Sequence, residues 1–256
     1  MMAMNGLNQG LRCIVLAGLA TAATAARVQD PQPPAEPPRI VRPFPGVTVR
    51  ADEKTVEIEA EVCLSEGFLE QIACGPNSRE HESLVVIRTM PSEIHAALLL
   101  AGFESGRPGR WIYEGDDVRT EPPSGDAVEV LVRYEKAADG QGAVAEIIEK
   151  PISAWIRDHN GKGEFPGTPW IFGGSHFKPK PEWMDDGKGE YYTADFTGSI
   201  IGLVTFGDEV LGFGEVISDK EELAAPVWEV KTDAIPAEGT KVTIVIRPVK
   251  KNASGS

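Results

Sequence analysis

Residues 55–64 constrain the fold of this chain more than any other stretch. Val56, Ile58, Ala60, Val62 and Leu64 are apolar, and Thr55, Glu57, Glu59, Glu61 and Cys63 fall between them. Successive side chains of a strand point to opposite faces, so this alternation predicts a half-buried strand with its acids in water. The run Val47–Arg50 and the turn Ala-Asp-Glu-Lys precede it, which makes the pair a hairpin.

Similar patterns recur along the chain. Residues 127–136 and 143–149 read as a second strand pair around Ala-Asp-Gly-Gln-Gly, a turn whose glycines admit positive φ. Further strand patterns cover residues 170–172, 191–196, 199–206, 227–231 and 241–247. Residues 84–87 are apolar on both faces, which predicts a central strand covered on both sides. Residues 91–102 read as a helix, with Pro91 at the start, Glu93 in the first turn and Gly102 at the end. Ile94, Ala97, Leu98 and Ala101 lie at helical spacing and supply one cover for that strand. Residues 66–73 read as a second, shorter helix. The expected architecture is a single α+β domain, mostly antiparallel sheet with one or two short helices packed on it.

Outside this domain the composition changes. Residues 1–26 carry one charged side chain, Arg12, then an apolar run from Cys13, with Ala23 and Ala25 spaced like a cleavage site. That pattern predicts a signal peptide over residues 1–25 and export to the periplasm or cell envelope. Cys13 follows Gly-Leu-Arg and precedes the apolar run, so it is not a lipid-attachment cysteine. Seven of the fifteen residues from Pro31 to Pro45 are proline, so residues 26–46 read as an extended linker. The domain then covers residues 47–250, and 251–256 read as a frayed tail. Lys and Arg number 25 against 39 Asp and Glu, a net charge of −14. Such a surface repels phosphate backbones and anionic lipid, which excludes nucleic-acid partners. No apolar run approaches the roughly 18 residues of a membrane span.

Several segments resemble the bacterial YdjY-domain family. They are Cys63-Leu-Ser-Glu-Gly-Phe-Leu-Glu-Gln-Ile-Ala-Cys74, Glu80-His-Glu-Ser-Leu84 and the helix from Pro91. Pro169-Trp-Ile-Phe-Gly-Gly-Ser175, Gly198-Ser-Ile-Ile-Gly-Leu-Val204 and the closing segment from Gly239 to Pro248 continue the likeness. The family is largely uncharacterised, so the resemblance implies a kind of domain and not an activity. Some relatives carry a ferredoxin-like label, which does not transfer. A four-iron cluster takes four closely spaced thiolates, and Cys63 and Cys74 are the two cysteines left after residue 25.

Few residues are placed to carry chemistry. Cys63 points with the glutamates, and in an oxidising compartment pairing with Cys74 is the economical reading. The alternative is two unpaired thiols under the 66–73 segment. His81, Glu82 and His95 are chemically sufficient for a three-ligand site holding a divalent metal such as Zn, with a position open for water. The plainer alternative makes His95 a satisfied core histidine and His81 a hydrogen-bonder at a strand end. Gly173-Gly174-Ser175-His176 puts a hydroxyl beside an imidazole, but neighbours on an extended chain point opposite ways, so it reads as a glycine-bent strand end. Trp183 lies in a loop sequence, Lys-Pro-Lys-Pro-Glu-Trp-Met-Asp-Asp-Gly, and is the tryptophan best placed to stack on a sugar or other ligand. Gly212-Phe-Gly214 is no dinucleotide fingerprint, and the acids from Asp185 lack the spacing of an EF-hand loop. The expected function is a non-enzymatic binding or scaffolding domain of the envelope without a cofactor, its partner an envelope protein or small ligand. The alternative is a metal-dependent enzyme, a hydrolase, built on His81, Glu82 and His95.

Overall fold

The alternation over residues 55–64 becomes the first stave of a closed barrel. A computed structural model describes residues 39–115, 117–136, 145–159, 165–184, 187–217 and 228–249. The staves are β1 (Thr55–Val62), β2 (Gln71–Cys74), β3 (Ser83–Val86), β4 (Ala127–Lys136), β5 (Trp170–Ile171), β6 (Ser199–Gly202), β7 (Leu211–Phe213) and β8 (Lys241–Pro248). Two helices accompany them, α1 (Pro91–Leu100) and α2 (Thr193–Thr197). Around the wall the order is β1, β8, β4, β5, β7, β6, β2, β3, and the pairing of β3 with β1 closes the ring. The β6–β7 and β2–β3 pairs are parallel and the other neighbours antiparallel.

Register carries one apolar face around the whole inside. Ile58 pairs with Ile244, and Ile244 with Val132. On the opposite side Val62 pairs with Val85, Val85 with Ala73, Ala73 with Ile201 and Ile201 with Leu211. All of these side chains are buried. An eight-stranded ring is just wide enough for side chains to fill. Burying each Val, Leu or Ile stabilises by roughly 1.5–3 kcal/mol, set against the entropy lost in ordering the chain.

The acids of β1 face outward, as the alternation predicts. Glu57 pairs with Arg50 at 3.0 Å and Arg133 at 3.2 Å, Arg133 with Glu149 at 2.8 Å, Glu149 with Arg247 at 3.3 Å, and Arg247 with Glu129 at 2.9 Å. These arginines hold the Glu57 carboxyl below the usual carboxylate range against the opposing effect of its burial. α1 buries Ile94, Ala97 and Leu98 and packs against strand Val47–Arg50 and α2.

The expected α+β sheet with helices laid on it is therefore corrected to a β-barrel: β3 joins β1, so the sheet closes on itself and packs its core inside the ring instead of under helices. The 66–73 helix is corrected too, since Gln71–Cys74 is the strand β2, buried at every position. Residues 193–197, inside a segment with a strand pattern, form α2, which Gly198 ends in a left-handed conformation at φ 75°. The Val47–Arg50 hairpin, the helix from Pro91 and strands β4, β6 and β8 lie where the sequence places them. Ile40–Val41, within the expected linker, pairs with Val47–Arg50. The expected signal peptide, the linker up to residue 38 and the tail lie outside the described residues.

Candidate functional site

The chain leaves β5 through Gly173, Gly174, Ser175 and His176, a turn that demands glycine at two places. A Cβ on Gly173 would come within 2.9 Å of Pro108 Cα. Gly174 has φ +84°, and a Cβ there would meet His95 Cε1 and Ser105 Cβ at 2.9 Å. Ser175 is buried and also left-handed, at φ 51°, an uncommon conformation for a residue with a side chain. The turn is tied to the segment before β7 by Gly174 N–H donating to Val210 O at 2.9 Å and Ser175 N–H to Glu209 O at 3.1 Å.

Behind the turn lies a small buried polar group. The Tyr192 hydroxyl donates to Gly174 O at 2.8 Å. His95 Nδ1 lies 2.9 Å from that carbonyl and 2.9 Å from the Tyr192 oxygen. A carbonyl only accepts, so Nδ1 carries the proton. Burial lowers the His95 pKa and keeps the ring neutral, and its edge packs on Phe172 at 5.0 Å between centroids. Burial, with the charge of Asp195, raises the Tyr192 phenol well above its usual value, so it remains a donor.

Glu209 anchors the loop in front. It is 1% exposed, and its carboxylate accepts from Gly207 N–H at 2.9 Å and Asp208 N–H at 3.0 Å. Burial, aided by the neighbouring Asp208 charge, pushes its pKa up to about 7. Burial and the Lys178 charge hold the His176 pKa down, against the opposing charge of Asp208.

Between this loop and the hairpin Arg110–Glu114/Asp117–Glu121 opens a cleft of about 600 Å³. Arg107, Arg110, Trp111, Tyr113, His176 and Phe206 line it. Trp111 Nε1–H donates to Thr205 O at 3.2 Å, which joins the hairpin to the loop. Arg110 binds Glu121 at 2.7 Å while Arg107 stays 3.9 Å from the same carboxylate, and both side chains are more than half exposed. The Arg79 guanidinium stacks on the Phe206 ring at 3.6 Å from its centroid. The arrangement offers guanidinium donors, a neutral imidazole and aromatic faces around one hollow.

The residues singled out from sequence lie elsewhere, apart from His95 and the Gly173–His176 turn. His81 is exposed and pairs with Glu82 at 3.4 Å, in the short turn Glu80–Glu82 that opens β3. His95 is committed through Nδ1 to Gly174 and Tyr192. Among the described residues no group of three or more His, Cys, Asp or Glu side chains is arranged to hold a metal ion. Cys63 and Cys74 are free thiols. Trp183 is 71% exposed, with its ring 5.8 Å from Phe196. Asp185 and Asp186 lie outside the described residues. No sequence motif singles out Arg107, Arg110, Trp111, Tyr192 or Glu209. The available signal was the basic pair in Arg107-Pro-Gly-Arg110, set in an otherwise acidic chain.

The model of the YdjY domain matches residues 47–247, from the strand before β1 to the end of β8. The chain belongs to the YdjY-domain family. No curated protein and no solved structure matches it. The match spans every barrel stave of this YdjY domain, with the Gly173–His176 turn, the Glu209 loop and the cleft inside it. Among the described residues no helix is long and apolar enough to cross a membrane.

Proposed function

We propose that this YdjY domain is a non-enzymatic binding domain that works in the bacterial cell envelope after export, and that its ligand sits in the cleft beside the Gly173–His176 turn. The observation that carries the reading is the cleft itself. Its walls are a glycine-constrained turn and a loop anchored by Glu209, and they present Arg107 and Arg110 beside Trp111, Tyr113 and Phe206. On a chain of net charge −14, such guanidinium groups favour an anionic ligand, and the aromatic faces favour one with a planar or ring-shaped apolar part. A small carboxylate of that shape is the chemical class that fits. The charge and small-residue pattern of residues 1–25 supports export.

The test is calorimetric titration of the full chain with benzoate, glucuronate and inorganic phosphate as probes. A charge-assisted hydrogen bond contributes roughly 1.5–3 kcal/mol, so Arg107→Ala with Arg110→Ala should weaken binding about tenfold or more. Saturable binding of a carboxylate, lost in the double variant, supports the reading. Binding of none of the three, or binding unchanged in the variant, overturns it. Cell fractionation tests export separately, and intact Met1 on protein confined to the cytoplasm would overturn that half.

A further inference from the structure

Beside the cleft, three guanidinium groups converge on one carboxylate. In the hairpin register Arg110 pairs with Glu121 and Ile112 with Arg119, so Arg110, Arg119, Glu121 and Glu114 share one face. Arg110 Nε and Nη2 both donate to Glu121 Oε2, at 2.8 and 2.7 Å. Arg119 Nη1 donates to the other oxygen, Oε1, at 2.9 Å, while its Nη2 lies 3.2 Å from Glu114. Arg107 stands 3.9 Å from Glu121 Oε2, beyond hydrogen-bond distance. Of the two cleft arginines, one is therefore engaged by a carboxylate of the chain itself and the other is not.

We propose that Glu121 is an internal competitor for the ligand's carboxylate: it holds Arg110 in the ligand-free domain and yields that guanidinium to an anion entering the cleft. The inference rests on the cleft as the anion site and adds what sets its threshold. The two bonds from Arg110 use its Nε–Nη2 edge, an edge by which a guanidinium grips a carboxylate. The Glu121 charge also cancels part of the field that draws an anion in.

The exchange is easy for the protein. The Arg110 side chain is 56% exposed, and ion pairs so open to water are weak. Glu121 keeps Arg119 on its other oxygen, so its release from Arg110 strands no charge. The backbone need not move, because the indole of Trp111 ties the hairpin to Thr205 O independently of Glu121. A monoanion gains only the difference between its own bond to Arg110 and the one Glu121 gives up. The cost falls hardest on small anions with no ring to lay on Trp111, Tyr113 or Phe206, so Glu121 keeps the cleft for ligands that carry one.

The experiment is calorimetric titration of the full chain with benzoate and with acetate, comparing wild type, Glu121→Gln and Glu114→Gln after melts show each variant folded. Glu121→Gln should bind both probes about fivefold tighter, the effect of one unit charge about 4 Å away in water. The factor should be the same for both, since the competitor is displaced whichever anion enters. Glu114 lies four positions along the strand from Arg110, about 13 Å and beyond a Debye length at physiological salt. Glu114→Gln should therefore change binding less than about twofold, and adding Arg110→Ala to Glu121→Gln should cancel the gain. Weaker binding in Glu121→Gln would make Glu121 a positioning residue for Arg110, and an equal gain in Glu114→Gln would make it one charge among several. Unchanged binding in Glu121→Gln, or a gain that survives Arg110→Ala, would show that it does not guard this arginine. Each of these overturns the proposal and leaves the cleft as the anion site. Binding in Glu121→Gln with none in wild type supports the competitor and overturns the carboxylate reading of the native domain. Binding in neither overturns both.

Discussion

β1, β8 and β4 are eight, eight and ten residues long, while β5, β7, β6, β2 and β3 run for only two to four. The long side shows its outer face to water and covers it with the ladder from Arg50 to Glu129. On the short side β2, β3, β6 and β7 are buried at every position. The two parallel pairs lie there, and a parallel pair needs a connection that crosses back over the sheet. The connection from β6 to β7 brings Thr205 and Glu209 inside, and on the staves themselves Gln71 Nε2 donates to Ser199 Oγ at 3.2 Å. The cleft borders this short side. Regular alternation supplies a scaffold with a solvated back, while short doubly covered strands leave room for chemistry in the loops that cover them.

The contrast can be tested by substitution, starting with the largest expected effect. Leu98 on α1 is 0% exposed, and Ile244 in the long β8 is 0% exposed. Each change to Ala should cost roughly 2–5 kcal/mol in denaturant melts, the range for a buried aliphatic side chain. If Leu98→Ala melts like wild type, the helix adds nothing to the core.

Glu209 sharpens the contrast through pH. Its folded-state pKa of about 7 lies above the usual 4.5, so the folded protein holds a proton that the unfolded chain has lost. That stabilisation is complete below about pH 4.5 and is lost as pH rises through about 7, a change of roughly 3 kcal/mol. Glu209→Gln cannot titrate. Wild-type stability should therefore fall relative to the variant across that window. Parallel profiles in urea melts from pH 4 to 8 would place Glu209 in water.

On the long side the effects should be small. Glu57→Gln removes the carboxylate that Arg50 and Arg133 share in a partly exposed ladder and should cost about 1 kcal/mol, less at high salt. A larger, salt-independent loss would mean that the outer face is less solvated than its exposure indicates. Smallest of all, His81→Ala should change stability by no more than about 0.5 kcal/mol, as expected of an exposed residue whose ion pair is with Glu82. Calorimetric melts with and without zinc check this. A zinc-dependent shift in wild type that is absent from His81→Ala would revive the metal reading.

What was legible followed from local physics. The alternation in β1 announced its own two faces, and Pro91, Glu93 and Gly102 announced α1. The apolar run at residues 84–87 announced a strand covered on both sides. Residues 66–73 misled because Gln71-Ile-Ala-Cys74 is too short to show a period, and doubly buried strands do not alternate. α2 was hidden because its five residues carry a strand-like pattern, and packing against α1 and β6 decides its conformation.

The sequence by itself determined which residues avoid water, where the long strands run, where α1 starts and stops, and that the surface is acidic. Each of these depends on neighbours within a few positions. Only the tertiary structure decided that β3 meets β1 and closes a ring. That pairing joins Val62 to Val85 across a long connection, and no local pattern encodes a partner so far away. The cleft is likewise a meeting of distant segments, the Arg110 hairpin and the loop through Thr205 and Glu209. Sequence separation carries no information about such meetings, because register and the twist of the wall select them.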